Sequence, residues 1–172
     1  MLFVISTFLA KMEKKVLLSM ALGFALIGSI ARWFTYSQEI PQLVFLDPFF
    51  FAPAYTTFWA IFLSMLSDYC DYDEYKNGKR REGVFNAISG WMTKAGATVA
   101  LIVAGVVLQK TGFNAELEGA QTQSTLTNMR LALVFLPVIC LGFALLLSTT
   151  YPLSKERMQS IREELESRSG IV

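Results

Sequence analysis

Histidine is absent from all 172 residues. Its absence excludes Ser-His-Asp triads, HExxH zinc sites and haem held by an imidazole. Charge is scarce as well. Asp, Glu, Lys and Arg make up 17% of the chain, where a soluble domain carries about a quarter. The formal net charge is +1, so no global field recruits a polyanion, and a nucleic-acid partner is not expected. Two cysteines, Cys70 and Cys140, are too few for a disulfide-stapled secreted module.

Apolar residues take the place of the missing charges, at 53% of the chain. Three long segments lack any Asp, Glu, Lys or Arg: Val16–Ala31, Pro48–Ser67 and Leu131–Ser154. Gly83–Gln109 is a fourth, interrupted only by Lys94. A helix rises about 1.5 Å per residue and the hydrocarbon core is about 30 Å thick, so roughly 20 residues span it. Helices buried in a soluble bundle keep polar stripes at a period of about 3.6 residues; these segments are apolar all round. The expected architecture is an all-α membrane protein in a lipid bilayer. Its spanning helices are expected near 16–37, 43–70, 83–109 and 129–153. Met1–Ala10 is too short to span and lacks a basic start and a small-residue cleavage site. It reads as the inner end of a partial N-terminal helix. Residues 1–153 then form the bundle and 154–172 a tail.

Basic residues give an orientation. Lys11, Lys14 and Lys15, then Lys76, Lys79, Arg80 and Arg81, then Lys155, Arg157, Arg162 and Arg168 fall on one side. The other side has Arg32, Lys110 and Arg130. The bias places loop 71–82 and the tail in the cytoplasm and Glu116 and Glu118 outside. Cys70 and Cys140 then lie at different depths and are expected to be free thiols.

Small residues recur four apart: Ala21, Ala25 and Ser29 in one helix, with Ser19 and Gly23 on a neighbouring row, and Gly96, Ala100 and Ala104 in another. Such rows let helix backbones approach closely in lipid. Pro48, Pro53 and Pro137 are tolerated in membrane helices, where they can kink them. Phe49, Phe50 and Phe51 are expected near the outer interface. In the tail, Met158, Ile161 and Leu165 share one side. Two placements fit it: flat on the inner membrane surface, or a solvated end.

Lys94 has eleven uncharged residues before it, from Gly83, and fifteen after it, to Gln109. Neither piece spans alone, so Lys94 belongs near mid-membrane. An ammonium there costs about 2.5–3.5 kcal/mol on insertion scales. It is expected to face a wet cavity or a partner, and this chain has no acid at that depth. A second group of charges is Asp68-Tyr-Cys-Asp71-Tyr-Asp73-Glu74-Tyr-Lys76-Asn-Gly78-Lys79-Arg80-Arg81-Glu82-Gly83. Asp68, Asp71 and Glu74 are three apart and form an acidic stripe where a helix runs out into a short turn. Acids at a helix C-terminus oppose the macrodipole and need cations; Arg80 and Arg81 can return to them. An EF-hand is excluded, because its glycine position holds Lys76 when Asp71 is first. These acids sit at a surface turn rather than flanking a cleft, so they do not form a glycosidase pair. No nucleophile–base pair supports an intramembrane enzyme.

The stretch DYCDYDEYKNGKRREG resembles the loop between the tenth and eleventh helices of the glycoside–pentoside–hexuronide:cation symporters, the melibiose-carrier family of the major facilitator superfamily. The family pattern, roughly D-x-x-D-Y-x-E-[YF]-K-x-G-x-R, is filled throughout. Trp59 precedes Asp68 by nine residues, as the tenth-helix Trp of that family does, and Lys94 falls where its eleventh helix carries a Lys. The resemblance covers nearly the whole chain but only the end of the eighth helix and helices nine to twelve of the family. It therefore implies the C-terminal portion of a transporter of the inner or plasma membrane, with an N-terminal bundle as its missing partner. It implies a sugar or glycoside substrate and coupling to Na⁺ or H⁺. No cofactor is implied, and no cation ligand can be named here because those acids lie in the other bundle. By the same resemblance, Asp68, Asp71, Glu74 and Arg80 belong to a cytoplasmic gating network, and Trp59 and Lys94 face the substrate cavity. Ser89 and Gly90 depart from the Gln or Thr common one turn before the lysine, so the sugar is not specified. Such a fragment is not expected to transport alone. The alternative is a small four-helix membrane protein acting as an oligomer or accessory subunit.

Overall fold

A computed structural model describes residues 12–36, 40–117 and 119–169. Five α-helices account for most of them: α1 (Lys14–Thr35), α2 (Asp47–Asn77), α3 (Glu82–Lys110), α4 (Gln123–Ser148) and α5 (Lys155–Ser169). Short 3-10 helices, Pro41–Leu46 and Ala115–Leu117, sit in the α1–α2 and α3–α4 connections. No strand occurs among the described residues. α1, the segment Pro41–Asn77, α3 and α4 are each long and apolar enough to cross a membrane. The partial helix expected at Met1–Ala10, and Lys11 and Glu118, lie outside the described residues.

Helix ends follow local chemistry, and three differ from the sequence expectation by five residues or more. α2 does not stop at 70. It continues to Asn77 and ends where Gly78 turns left-handed at φ 66°, its amide bonding the Glu74 carbonyl at 2.8 Å. Glycine enters that conformation without the Cβ penalty. Residues 71–77 are therefore helix rather than loop, and the turn is confined to 78–81. α4 starts at Gln123, not near 129, because the Thr122 hydroxyl caps it and accepts from the Thr125 amide at 3.3 Å. It stops at Ser148 rather than 153, since Pro152 can neither donate an amide bond nor tolerate helix just before it. α3 runs one residue beyond the expected span at each end, and the end expected for α1 at 37 falls outside the described residues.

α1 is the centre of the packing and lies against both α2 and α4. Its buried residues include Leu17, Ala21, Leu22, Ala25, Gly28 and Ser29. The row Ala21, Ala25 and Ser29 is thus a helix-packing face, as its spacing suggests. On the neighbouring row, a Cβ added at Gly23 would meet nothing within 4 Å. At Gly28 the approach is close enough that an added Cβ would lie 2.6 Å from the Phe50 Cβ. Phe50 in turn packs against Phe24, with ring centroids 5.5 Å apart. Small residues and dispersion, rather than large apolar burial, hold such helices together where the surrounding medium is itself apolar. Ion pairs and hydrogen bonds fix both ends. Arg32 grips Asp47 with two bonds, 2.8 and 2.9 Å, and lies over the Phe51 ring. At the other end Lys15 donates to the Thr149 carbonyl at 2.6 Å, and the Ser19 and Ser148 hydroxyls meet at 3.2 Å.

α3 differs. It has no buried residue along its whole length. Its row Gly96, Ala100 and Ala104 is exposed, and nothing lies within 4 Å of an added Cβ at Gly96.

α5 neither lies free nor stays apart from the bundle. Leu153, Met158 and Ile161 are buried, and Leu165 packs with them against Tyr72, Tyr75 and Tyr151. The apolar side visible in the sequence thus covers the extended end of α2. Burying three such side chains is worth about 1.5–3 kcal/mol each before the entropy of ordering the tail is subtracted.

Candidate functional site

The extension of α2 places the acidic stripe on a rigid helix. Residues 68, 71 and 74 fall on neighbouring turns, and the tight turn at Gly78 folds Arg80 and Arg81 back along the same surface. Arg80 reaches Glu74 at 3.2 Å, Asp71 at 3.8 Å and Glu82 at 3.1 Å. Arg81 takes Asp73 through two bonds, 2.8 and 2.5 Å. These acids hold both guanidinium pKa values above the ordinary arginine value, Glu82 first for Arg80 and Asp73 for Arg81.

Asp68 is the innermost member. Only 2% of the residue is exposed. A buried carboxylate without partners carries a penalty of several kcal/mol. Lys14 at the start of α1 lies 2.5 Å from one oxygen, and Arg162 of α5 lies 2.8 Å from the other. The Lys14 ammonium also donates to the Ser64 carbonyl at 3.3 Å. Arg162 extends the chain of charges, donating through Nε to Asp71 at 3.2 Å. The Tyr151 hydroxyl is buried in the same place without a hydrogen bond of good geometry. Burial first, then the charge of Asp68, pushes its pKa above the usual tyrosine value.

The four expected network residues, Asp68, Asp71, Glu74 and Arg80, are therefore brought together. Lys14 and Arg162 complete the cluster, and the sequence reading missed both. Lys14 was one of three neighbouring lysines with nothing to single it out. Arg162 follows Ile161 on the tail, but nothing in the sequence ties it to Asp68, 94 residues away.

The two expected cavity residues are not brought together. Trp59 is half-buried on α2, and its ring contacts, Tyr55, Phe58 and Phe62 at 5.6–6.1 Å, all belong to its own helix. Lys94 is exposed near the middle of α3. Among the described residues no carboxylate lies within ion-pair reach of it. Cys70 is buried and Cys140 exposed, and both are free thiols.

A profile of the MFS/sugar transport protein family matches residues 1–155. The chain belongs to that family. It is 30% identical to an uncharacterized symporter of Synechocystis sp., over 98% of this chain and 31% of that protein. It is 30% identical to an uncharacterized symporter of Bacillus subtilis, over 92% of this chain and 34% of that protein. An isoprimeverose transporter of Lactiplantibacillus pentosus is 31% identical over 53% of this chain and 19% of its own length. The chain thus spans about a third of the length of the first two relatives. No solved structure matches it. These relatives are symporters and transporters rather than enzymes, and four apolar helices fit a multi-pass membrane protein.

Proposed function

We propose that this chain supplies the closing helices of a sugar:cation symporter that works by alternating access. The observation that carries the reading is the assembled charge cluster at one end of α2. Rocking one bundle against another needs contacts at the membrane surface that are strong when made and replaceable when broken. Carboxylates on a rigid helix, partly exposed and already paired with arginines, meet that need. Asp71 and Glu74 are the members a second bundle would engage, while Asp68 is enclosed within this chain. The basic residues around the cluster favour the cytoplasmic side of the inner or plasma membrane.

Trp59 and Lys94 are the proposed substrate residues. Trp59 offers a ring face for stacking on a sugar. Lys94 offers an ammonium for its hydroxyls, or for an acid of the other bundle. An exposed cation in the middle of an uncovered spanning helix makes physical sense when a wet cavity is closed by further protein. Relatives named as an isoprimeverose transporter and a putative sulfoquinovose importer support a sugar or glycoside substrate. Na⁺ or H⁺ is the proposed coupling ion.

The test is uptake in sealed vesicles. A full-length protein carrying this chain should accumulate a glycoside under an imposed Na⁺ or proton gradient and stop when the gradient is collapsed. The 172-residue chain alone should not. Gradient-independent equilibration by the full-length protein would contradict coupling, and uptake by the chain alone would contradict the shared cavity. The second reading, a self-assembling four-helix protein, draws on the uncovered Gly96–Ala100–Ala104 row. It predicts one defined homo-oligomer by mass measurement in mild detergent.

A further inference from the structure

We infer that α5 is a latch on the cytoplasmic-end cluster, with Arg162 as its pin. Three features of the fold combine here. The apolar anchor of α5 is short, consisting of Leu153, Met158, Ile161 and Leu165 on Tyr72, Tyr75 and Tyr151. The rest of the helix is charged and exposed. Its one cation that reaches the enclosed part of the cluster is Arg162, which bridges Asp68 at 2.8 Å and Asp71 at 3.2 Å. A planar fork spanning two carboxylates is a geometry that lysine cannot reproduce.

The pin joins three segments distant in sequence. Asp68 holds Lys14 of α1 and Arg162 of α5 on its two oxygens, so the start of the bundle and its tail are tied through one side chain of α2. Arg168 adds a minor clasp further along α5, donating to the Tyr75 carbonyl at 3.2 Å. Asp71 is shared, one oxygen towards Arg162 and the other towards Arg80. A cation from elsewhere that takes Asp71 draws on the carboxylate that also holds the tail. Latch release and engagement of the cluster are therefore linked. That linkage rests on the gating role proposed above, whereas the latch itself rests only on contacts within this chain.

The test reads the latch without transport. Met158, 5% exposed beneath the docked tail, is replaced by cysteine in a chain whose Cys70 and Cys140 are alanine. The rate of modification by a water-soluble maleimide in lipid nanodiscs then reports the fraction of time α5 is undocked. Arg162→Gln should raise that rate about tenfold or more, because two charge-assisted bonds are lost. Arg162→Lys should fall between it and the parent, and Asp71→Asn should raise the rate less than Arg162→Gln does. Arg168→Gln, which removes only the outer clasp, should change it least. Rates for Arg162→Gln and Arg168→Gln that are equal to each other, or both equal to the parent's, would overturn the latch. Should Arg162→Gln fail to fold, the Arg162→Lys rate decides alone: raised supports the pin, unchanged refutes it. Failure of sugar uptake would leave every one of these rates as expected, so the two readings fail separately.

Discussion

Helices α1 and α3 are equally apolar in their spanning windows, yet a third of that window is buried against protein in α1 and none in α3. Both carry small residues four apart. In α1 the row is filled by neighbouring helices, and at Gly28 a neighbour comes within side-chain contact. In α3 the row is bare and a lysine sits beside it. A hydrophobic drive does not distinguish the two in a bilayer, because lipid is as apolar as protein. What separates them is partnership. α1 is tied at both ends by Asp47 and Asp68, while α3 is held chiefly by its connecting turns. The contrast fits the proposal that α3 meets protein beyond this chain.

Substitutions that strike one helix and spare the other test the contrast. The largest effect is expected at Asp68. Asp68→Ala leaves Lys14 and Arg162 facing a buried gap, and it should reduce stability by about 2–3 kcal/mol, given that both cations are partly solvated. Denaturation by SDS, followed by circular dichroism in mixed micelles, measures this. A loss below about 0.5 kcal/mol, the size of a surface pair, would place the cluster outside the fold's support.

Next comes a glycine pair. Gly28→Leu should cost about 1–3 kcal/mol through overpacking against Phe50. Gly96→Leu should cost nothing in the isolated chain, since open space surrounds it. Equal losses in the same unfolding assay would break the comparison. Removing the α4 cap by Thr122→Ala should cost about 1 kcal/mol, and an unchanged midpoint would assign the start of α4 to tertiary contacts instead.

The smallest effect concerns pH. Burial keeps the Tyr151 phenol neutral in the folded chain above the value where an unfolded tyrosine ionises, about 10. The stability from that group is complete below about pH 10 and declines as pH rises further, because only the unfolded state releases the proton there. Tyr151→Phe should flatten this alkaline slope. A slope unchanged by the substitution would assign it to other groups.

The number of spanning helices, their approximate positions and the acidic stripe were all legible in the sequence, because a bilayer sets length and an uncharged run reports it directly. Where the stripe stood was misread. The charged residues 71–77 look like a loop by composition, but the helix persists through them, with Arg80, Arg81 and Arg162 in reach to pair with their acids. The docking of α5 was half legible. Met158, Ile161 and Leu165 declared an apolar side, yet only the fold shows that tyrosines of α2, rather than lipid, receive it. The partners of Asp68 were not legible, since Lys14 and Arg162 lie 54 and 94 residues away in sequence. Local spacing carries no information at that range.

The proposed function turns on Lys94: under that proposal its charge lies on a bare helix because a sugar-binding cavity is completed by other protein. The direct measurement is the initial rate of glycoside uptake, against sugar concentration, by a full-length symporter bearing Lys94→Ala in this chain. The account predicts that uptake per transporter falls by about tenfold or more, the equivalent of one lost charge-assisted contact. Uptake kinetics indistinguishable from those of the parent would contradict it.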